Sequence, residues 1–350
     1  MKYFTLLCLT FILIYGKVYA ISFDALTHDF GTIYEEKGTV STTFSFKNKS
    51  NKLLVIERIV PACGCSNTHI SSRNLAAGES GNIVVEFDPS ERPGNFDKSI
   101  YVYSNDSTVR LSIQGKVIPS KQTIAKMYPY RFQFSRADKN TLSFGTILHT
   151  QQNTQYVNFI NDSDKPVKLT FLQLPPFIST DSLFYNLLPG NEQIIPFHIS
   201  VLGHNVWGEK NEKLVVVENG KPSNAIQINV TVNEDFSILS AKERSRMPKI
   251  KLSSNEIIFG KTKQPSIETK ELTITNIGHG QLLIRKIELT DPALRVTITK
   301  TKLNRNKRAQ VKISLLSDKS LGEKEHIFNI LTNDPIHPVQ TIIVKSSIYK

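Results

Sequence analysis

Cysteine is nearly absent from this chain: three residues in 350, of which Cys8 lies in the first twenty. Two remaining cysteines cannot build a disulfide scaffold, so the fold has to rest on apolar cores. Tryptophan occurs once, at Trp207. Past residue 20 no apolar run reaches the ~20 residues that a membrane-spanning helix needs, so the chain after that point reads as having no transmembrane span. No stretch shows the apolar period of an amphipathic helix. Also missing are an H-E-x-x-H pair, a G-x-S-x-G elbow and a phosphate-cradling glycine loop. Acidic residues scatter over turns without visible pairing. These absences speak against a hydrolase, and the chain reads as a non-enzyme with no cofactor.

Met1-Lys2, the apolar run Tyr3 to Tyr15 and the small residues of Val18-Tyr19-Ala20 have the anatomy of a secretory signal peptide. Residues 1–20 are therefore expected to be a removed leader, with Ile21 as the mature start. Export follows as the expected localisation, to the periplasm or to the cell surface and medium.

The net charge of +12 is uneven. Residues 21–236 hold 20 basic and 21 acidic residues, whereas residues 237–350 hold 21 and 10. The excess of positive charge thus belongs to the C-terminal third.

What the chain does contain is repetition. Phe30-Gly31-Thr32-Ile33 returns 114 residues later as Phe144-Gly145-Thr146-Ile147 and, 115 residues after that, as Phe259-Gly260-Lys261-Thr262. Each copy continues into an alternating strand that ends in asparagine, at Asn48, Asn161 and Asn276. Gly94, Gly208 and Gly322 each stand eleven residues before Asn105, Asn219 and Asn333. Three landmarks in fixed order at one period mean three copies of one domain. Within a copy, short β-branched and aromatic runs such as Val40–Phe46, Ile83–Phe87, Ile100–Tyr103 and Val109–Ile113 alternate with turn formers. Strands at this spacing indicate an antiparallel sandwich. The expected class is all-β: three tandem immunoglobulin-like sandwiches at 21–118, 136–235 and 250–350. Linkers at 119–135 and 236–249 are not glycine-rich and are expected to be moderately stiff spacers of a rod. Ala241–Arg246 has the composition for one helical turn. The repeated glycines and asparagines read as fold residues that serve turns.

His28-Asp29-Phe30-Gly31-Thr32-Ile33, Phe44–Asn48, Cys63-Gly64-Cys65, Ala77-Gly78, Val85-Glu86-Phe87 and Gly94 together resemble the bacterial family called domain of unknown function 1573. The resemblance covers residues 22–117; Ala77 stands where that family usually has proline. It implies an immunoglobulin-like domain, related to modules of pilus-chaperone and cilia-associated proteins and typical of exported Bacteroidetes-type proteins. It implies no activity.

Because the copies share a fold, their differences mark candidate sites. The first is Cys63-Gly64-Cys65, followed by His69. In an extended strand the two Cβ atoms would stand roughly 6–7 Å apart, against about 3.8 Å for a disulfide. Closure therefore needs a turn, which Gly64 would permit. The aligned segments Leu174–Phe177 and Thr290–Ala293 lack cysteine, so the sandwich does not require the pair. Four readings stay open: a small disulfide, a soft-metal site completed by His69 or His28, a pair that exchanges with a partner's thiols, and inert thiols. The second site is Lys300–Arg308, with Lys300, Lys302, Arg305, Lys307 and Arg308 in nine positions. Aligned on Leu75, Leu188 and Leu303, it falls on an exposed turn. It is either a solvated loop or a patch for acidic polymers or lipopolysaccharide, extended by Lys242, Arg244 and Arg246. Nucleic acid is not expected, since no aromatics interleave the basic residues. Trp207 packs over the end of the second sandwich or serves as a partner anchor.

The resulting expectation is an exported, non-enzymatic binding or structural protein that meets an envelope or secreted partner through its sandwich surfaces. A thiol-redox or soft-metal protein and an acidic-polymer binder are the alternatives.

Overall fold

A computed structural model of the chain describes residues 20–317 and 321–350. The expected leader lies outside the described residues, apart from Ala20. None of the described helices is long and apolar enough to cross a membrane.

Six sheets stack in pairs, and each pair encloses one apolar cluster. In the first sandwich a four-stranded sheet runs Ile21–Phe23, Val40–Asn48, Ser80–Phe87, Ser66–Ile70. It faces a five-stranded sheet of Thr27–Tyr34, Thr108–Ile118, Gly94–Ser104, Leu54–Pro61 and Asn74–Leu75. The alternation read from sequence places Phe44, Phe46, Ile83, Val85, Phe87, Ile100, Val102, Leu111 and Ile113 in the shared core. The third sandwich repeats the plan with the strand order Ile250–Leu252, Ile267–Asn276, Arg308–Leu316, Leu294–Ile298 in its four-stranded sheet. The second adds one short strand, Tyr130–Arg131, beside Ser135–Ala137.

The repeated motif is a bulge. Thr27–Tyr34 pairs parallel to the last strand, and its register shifts between Asp29 and Thr32, around Gly31 at φ +63°. The second and third copies shift at the same place, around Gly145 and Gly260 at φ +64° and +72°. A left-handed residue in an edge strand of this kind favours glycine and marks where a strand bends.

The repeated asparagines are buried hubs. Asn48, Asn161 and Asn276 are at most 1% exposed. Each Nδ2 donates to the carbonyl of a core leucine, at Leu75, Leu187 and Leu303. Each Oδ1 accepts a backbone N–H two residues on, from Ser50, Ser163 and Gly278. This geometry corrects the alignment on Leu188: the equivalent of Leu75 and Leu303 is Leu187, 1% exposed, whereas Leu188 is 57% exposed. A one-residue slip in a period-two strand exchanges the two faces. Asn105, Asn219 and Asn333 likewise accept from the strand beside them, at Val55, Lys168 and Leu283.

By their internal contacts the described residues divide into two compact units, one up to residue 127 and one from residue 128 onward. In the first unit, helix α1 (Lys121–Met127) is tied to its sandwich by Glu35, whose carboxylate accepts from Ser120 N–H and the Thr123 hydroxyl. The segment expected as the first linker is thus divided: α1 stays with the first unit, while Tyr128 and Phe132 are buried in the second. Helix α2 (Ala241–Ser245) is the single turn expected from composition, closed by a capping box of Ser240 and Glu243.

The second and third sandwiches belong to one unit. Arg285 of the third forks onto Glu234 with Nε and Nη2 at 2.7 and 2.5 Å, and its guanidinium lies 4.3 Å from the Trp207 ring. Trp207 is 7% exposed and part of the second core, with Nε1 donating to Asn205. At Gly208 a Cβ would come within 2.0 Å of Glu288 Oε1 and 2.8 Å of Leu331.

Candidate functional sites

The Cys63–Cys65 segment turns the corner between the two sheets of the first sandwich, from the strand ending at Pro61 to the strand beginning at Ser66. Ala62 N–H donates to Ser99 O, and Asp88 N–H donates to Cys65 O, so both shoulders of the corner are anchored. Within it Cys63 and Cys65 form a disulfide with Cα atoms 5.3 Å apart. Gly64 is not in the left-handed region, and a Cβ there would meet nothing within 4 Å. The turn therefore does not demand glycine; the position is simply open.

The two sulfurs differ. Cys65 is 6% exposed and belongs to the core, whereas Cys63 is half-buried against it. Ser66 Oγ lies 4.0 Å from Cys63 Sγ and 3.9 Å from Cys65 Sγ. The bridge opens on a cleft of about 410 Å³, whose walls include Arg92, Pro93, Asn95, Phe96 and Lys98. Phe96 stacks on Phe87 with centroids 4.2 Å apart, a rigid floor beneath the bridge. Among the described residues neither Arg92 nor Lys98 is ion-paired; Arg92 instead caps the carbonyl of Ser90 at 2.6 Å.

His69 does not join this site. It lies three strand positions beyond Ser66, roughly 10 Å along the strand, and is exposed beside Glu86 at 3.9 Å. His28 packs edge-on against Phe30. The bridge consumes both thiolates, and among the described residues no group of three His, Cys, Asp or Glu is placed to hold a metal.

The basic turn is exposed at all five positions, Lys300, Lys302, Arg305, Lys307 and Arg308. It hangs on the Asn276 hub: Asn306 N–H donates to Asn276 O, and Asn306 takes the left-handed conformation at φ +60°. Gly78 and Gly190 hold that place in the other copies, at φ +78° and +71°. Asparagine keeps the turn without glycine, because its short side chain tolerates this region.

Sequence reasoning missed the sheet face beside the turn. Lys251, Thr275 and Arg308 are in register across three strands, so their side chains share the outer face. Lys312 lies two outward positions beyond Arg308, and Arg295 stands opposite Ser314 on the edge strand. All four cations are exposed, and among the described residues none is ion-paired; Glu271 is the one acid in their midst. The equivalents of Arg308 and Lys312 are Glu192 and Pro196 in the second sandwich, and Ser80 and Val84 in the first. The signal was available as cations four positions apart in a strand, Arg308 and Lys312, but only strand pairing brings Lys251 and Arg295 to them.

Residues 248–347 match the model of the HYDIN/CFA65/VesB-like, Ig-like domain. No curated protein matches the sequence. Among solved structures, the chain is similar to a protein of unknown function from Porphyromonas gingivalis W83, at 18% identity over 61% of this chain and 99% of that one, with a TM-score of 0.44. It is also similar to the ASH/PapD-like domain 7 of human CEP192, at 11% identity over 34% and 100% with a TM-score of 0.27. The YadV chaperone gives 11% over 61% and 100% with a TM-score of 0.23. At these TM-scores the likenesses carry no functional argument. Residues 21–117, the sandwich that holds the Cys63–Cys65 bridge, match the model of the family described as protein of unknown function (DUF1573).

Proposed function

We propose that this is an exported, non-enzymatic binding protein that meets an envelope or secreted partner through its sandwich surfaces, and that the contact surface is the outer face of the third sandwich. One observation carries the choice of surface: Lys251, Arg295, Arg308 and Lys312 share one sheet face next to the exposed turn Lys300–Lys307, while the equivalent faces of the other two sandwiches lack such a cluster. Four exposed cations against a single carboxylate, Glu271 opposite Lys312, give a flat face a positive potential that attracts an extended polyanion. The partner class that fits is an acidic polymer, such as an acidic glycan or the phosphorylated part of lipopolysaccharide.

The test is retention of the full chain on immobilised heparin at low salt. Wild type is expected to bind and to elute as salt screens the surface. Reversing Arg308→Glu and Lys312→Glu together is expected to remove most of the retention, whereas Lys47→Glu on the first sandwich leaves it within about twofold. No retention of wild type near neutral pH at low salt would sink the acidic-polymer form of the proposal. A protein captured equally by wild type and the reversed variant would move the contact surface elsewhere.

A further inference from the structure

We infer that Cys63-Gly64-Cys65 is a thiol–disulfide exchange site for a peptide segment that carries two cysteines. This goes beyond a binding role and does not depend on it.

The bridge is asymmetric in the way exchange requires. Cys65 is locked in the core at 6% exposure, and Cys63 stands partly in solvent over the cleft. Both cysteines line the cleft, but Cys63 is the more exposed, so an incoming thiolate meets its sulfur first and Cys65 becomes the leaving sulfur. Ser66 Oγ, 3.9 Å from Cys65 Sγ, is the hydroxyl that stands ready to hydrogen-bond a thiolate formed there. Arg92 and Lys98 on the cleft wall add positive charge where negative sulfur arrives and departs. Positive surroundings favour the thiolate form, and exchange runs faster with a better leaving thiolate. The open space around Gly64 lets a peptide backbone approach without meeting a side chain.

A purely structural role explains less. A ring spanning three residues removes little chain entropy. The same corner is held without cysteine in the other copies, by buried Phe177 in the second and by Asp291 bonded to His326 in the third.

The exchange takes two steps. A partner thiolate attacks Cys63 Sγ; the Cys63–Cys65 bond breaks and its electron pair leaves on Cys65 Sγ. The partner's second thiol then gives up its proton to solvent and attacks its own sulfur in the mixed disulfide, and the Cys63 thiolate departs. The partner dithiol is oxidised by two electrons to a disulfide, and the Cys63–Cys65 pair is reduced by two.

The full chain, purified oxidised, is mixed with a synthetic peptide that carries a reduced Cys-x-x-Cys, quenched with an alkylating reagent and weighed. The bridge is expected to open while the protein stays folded by circular dichroism, giving a chain alkylated at Cys63 and Cys65 and an oxidised peptide. Cys65→Ser treated with oxidised glutathione is expected to trap one glutathione on Cys63, at least about tenfold faster than Cys63→Ser traps one on Cys65. Arg92→Ala with Lys98→Ala is expected to slow opening by roughly three- to tenfold at low salt. A wild-type bridge that millimolar peptide leaves intact until the protein unfolds would overturn the inference. So would equal trapping rates in the two single variants. The wild-type measurement stands even if a variant folds poorly.

Discussion

The corner between the two sheets is pinned by a covalent bridge in the first sandwich and by a hydrogen-bonded carboxylate, Asp291, in the third. In the first, Cys63 and Cys65 close the turn. In the third, Asp291 receives the Ala293 N–H on one oxygen at 2.8 Å and His326 Nδ1 on the other at 2.6 Å. Everything around these corners is shared: the glycine bulge, the asparagine hubs and the strand order. The sandwich therefore needs the corner fixed but is indifferent to how. A bridge that is interchangeable as a pin, partly exposed, and set over a cationic cleft is free to have a chemical use; the hydrogen bond between Asp291 and His326 holds no bond that a thiol could exchange.

The comparison breaks first if the shared hubs prove unequal. Asn48→Ala and Asn276→Ala each leave a core leucine carbonyl and a turn N–H without a partner in a buried place. Each is expected to cost about 3 kcal/mol, the sum of roughly two unpaired buried groups. The denaturant midpoint of the transition that each variant moves measures this. Equal losses support a common framework; a silent Asn48→Ala would mean that the bridge, not the hub, holds the first sandwich.

Gly208 sharpens the comparison of surfaces. Gly208 and Gly322 are both left-handed, at φ +65° and +93°, so alanine is strained at each. Only at Gly208 does the new Cβ also strike a neighbour, Glu288 Oε1, which Glu209 N–H holds at 2.6 Å, and Leu331. Gly322→Ala is expected to cost about 1 kcal/mol and Gly208→Ala about 2 kcal/mol. Similar thermal shifts for the two would show that the third sandwich does not press on the second at Gly208.

Much of this framework was legible as text, because repetition supplied its own alignment. Phe-Gly, the strand-ending asparagines and the glycine–asparagine spacing all mark backbone conformations or buried bonds that only a few residue types satisfy. The pairing of Thr27–Tyr34 parallel to the last strand was not legible, since no local pattern distinguishes a parallel neighbour from an antiparallel one. Leu187 was confused with Leu188 because two leucines in sequence hide the face that a period-two strand assigns. Cys63 and Cys65 stood out as a departure, but which sulfur is buried depends on the core of the opposite sheet. The basic turn was visible as a charge run; the face that continues it was not, because Lys251, Arg295 and Arg308 are far apart in sequence and meet only by register.

The smallest effect isolates the titrating corner. Burial pushes the Asp291 carboxyl up, but the bonds from His326 and the Ala293 N–H, with the charge of His326, outweigh it and hold the group below its ordinary value. A carboxylate depressed in the folded state stabilises it fully above the unfolded pKa, and that stability is lost as pH falls through the folded pKa. Asp291→Asn is therefore expected to cost about 1 kcal/mol near neutral pH, where it replaces a charge-assisted bond by a neutral one. The gap to wild type should close as pH drops below the ordinary carboxylate range, since wild-type Asp291 is then also uncharged. The first sandwich supplies the control: a disulfide does not titrate, so the Cys63→Ser, Cys65→Ser double variant should show a deficit that stays level over the same pH range. A deficit for Asp291→Asn that is equally level would mean that Asp291 serves the corner by shape alone, and the two corners would then differ only in covalency.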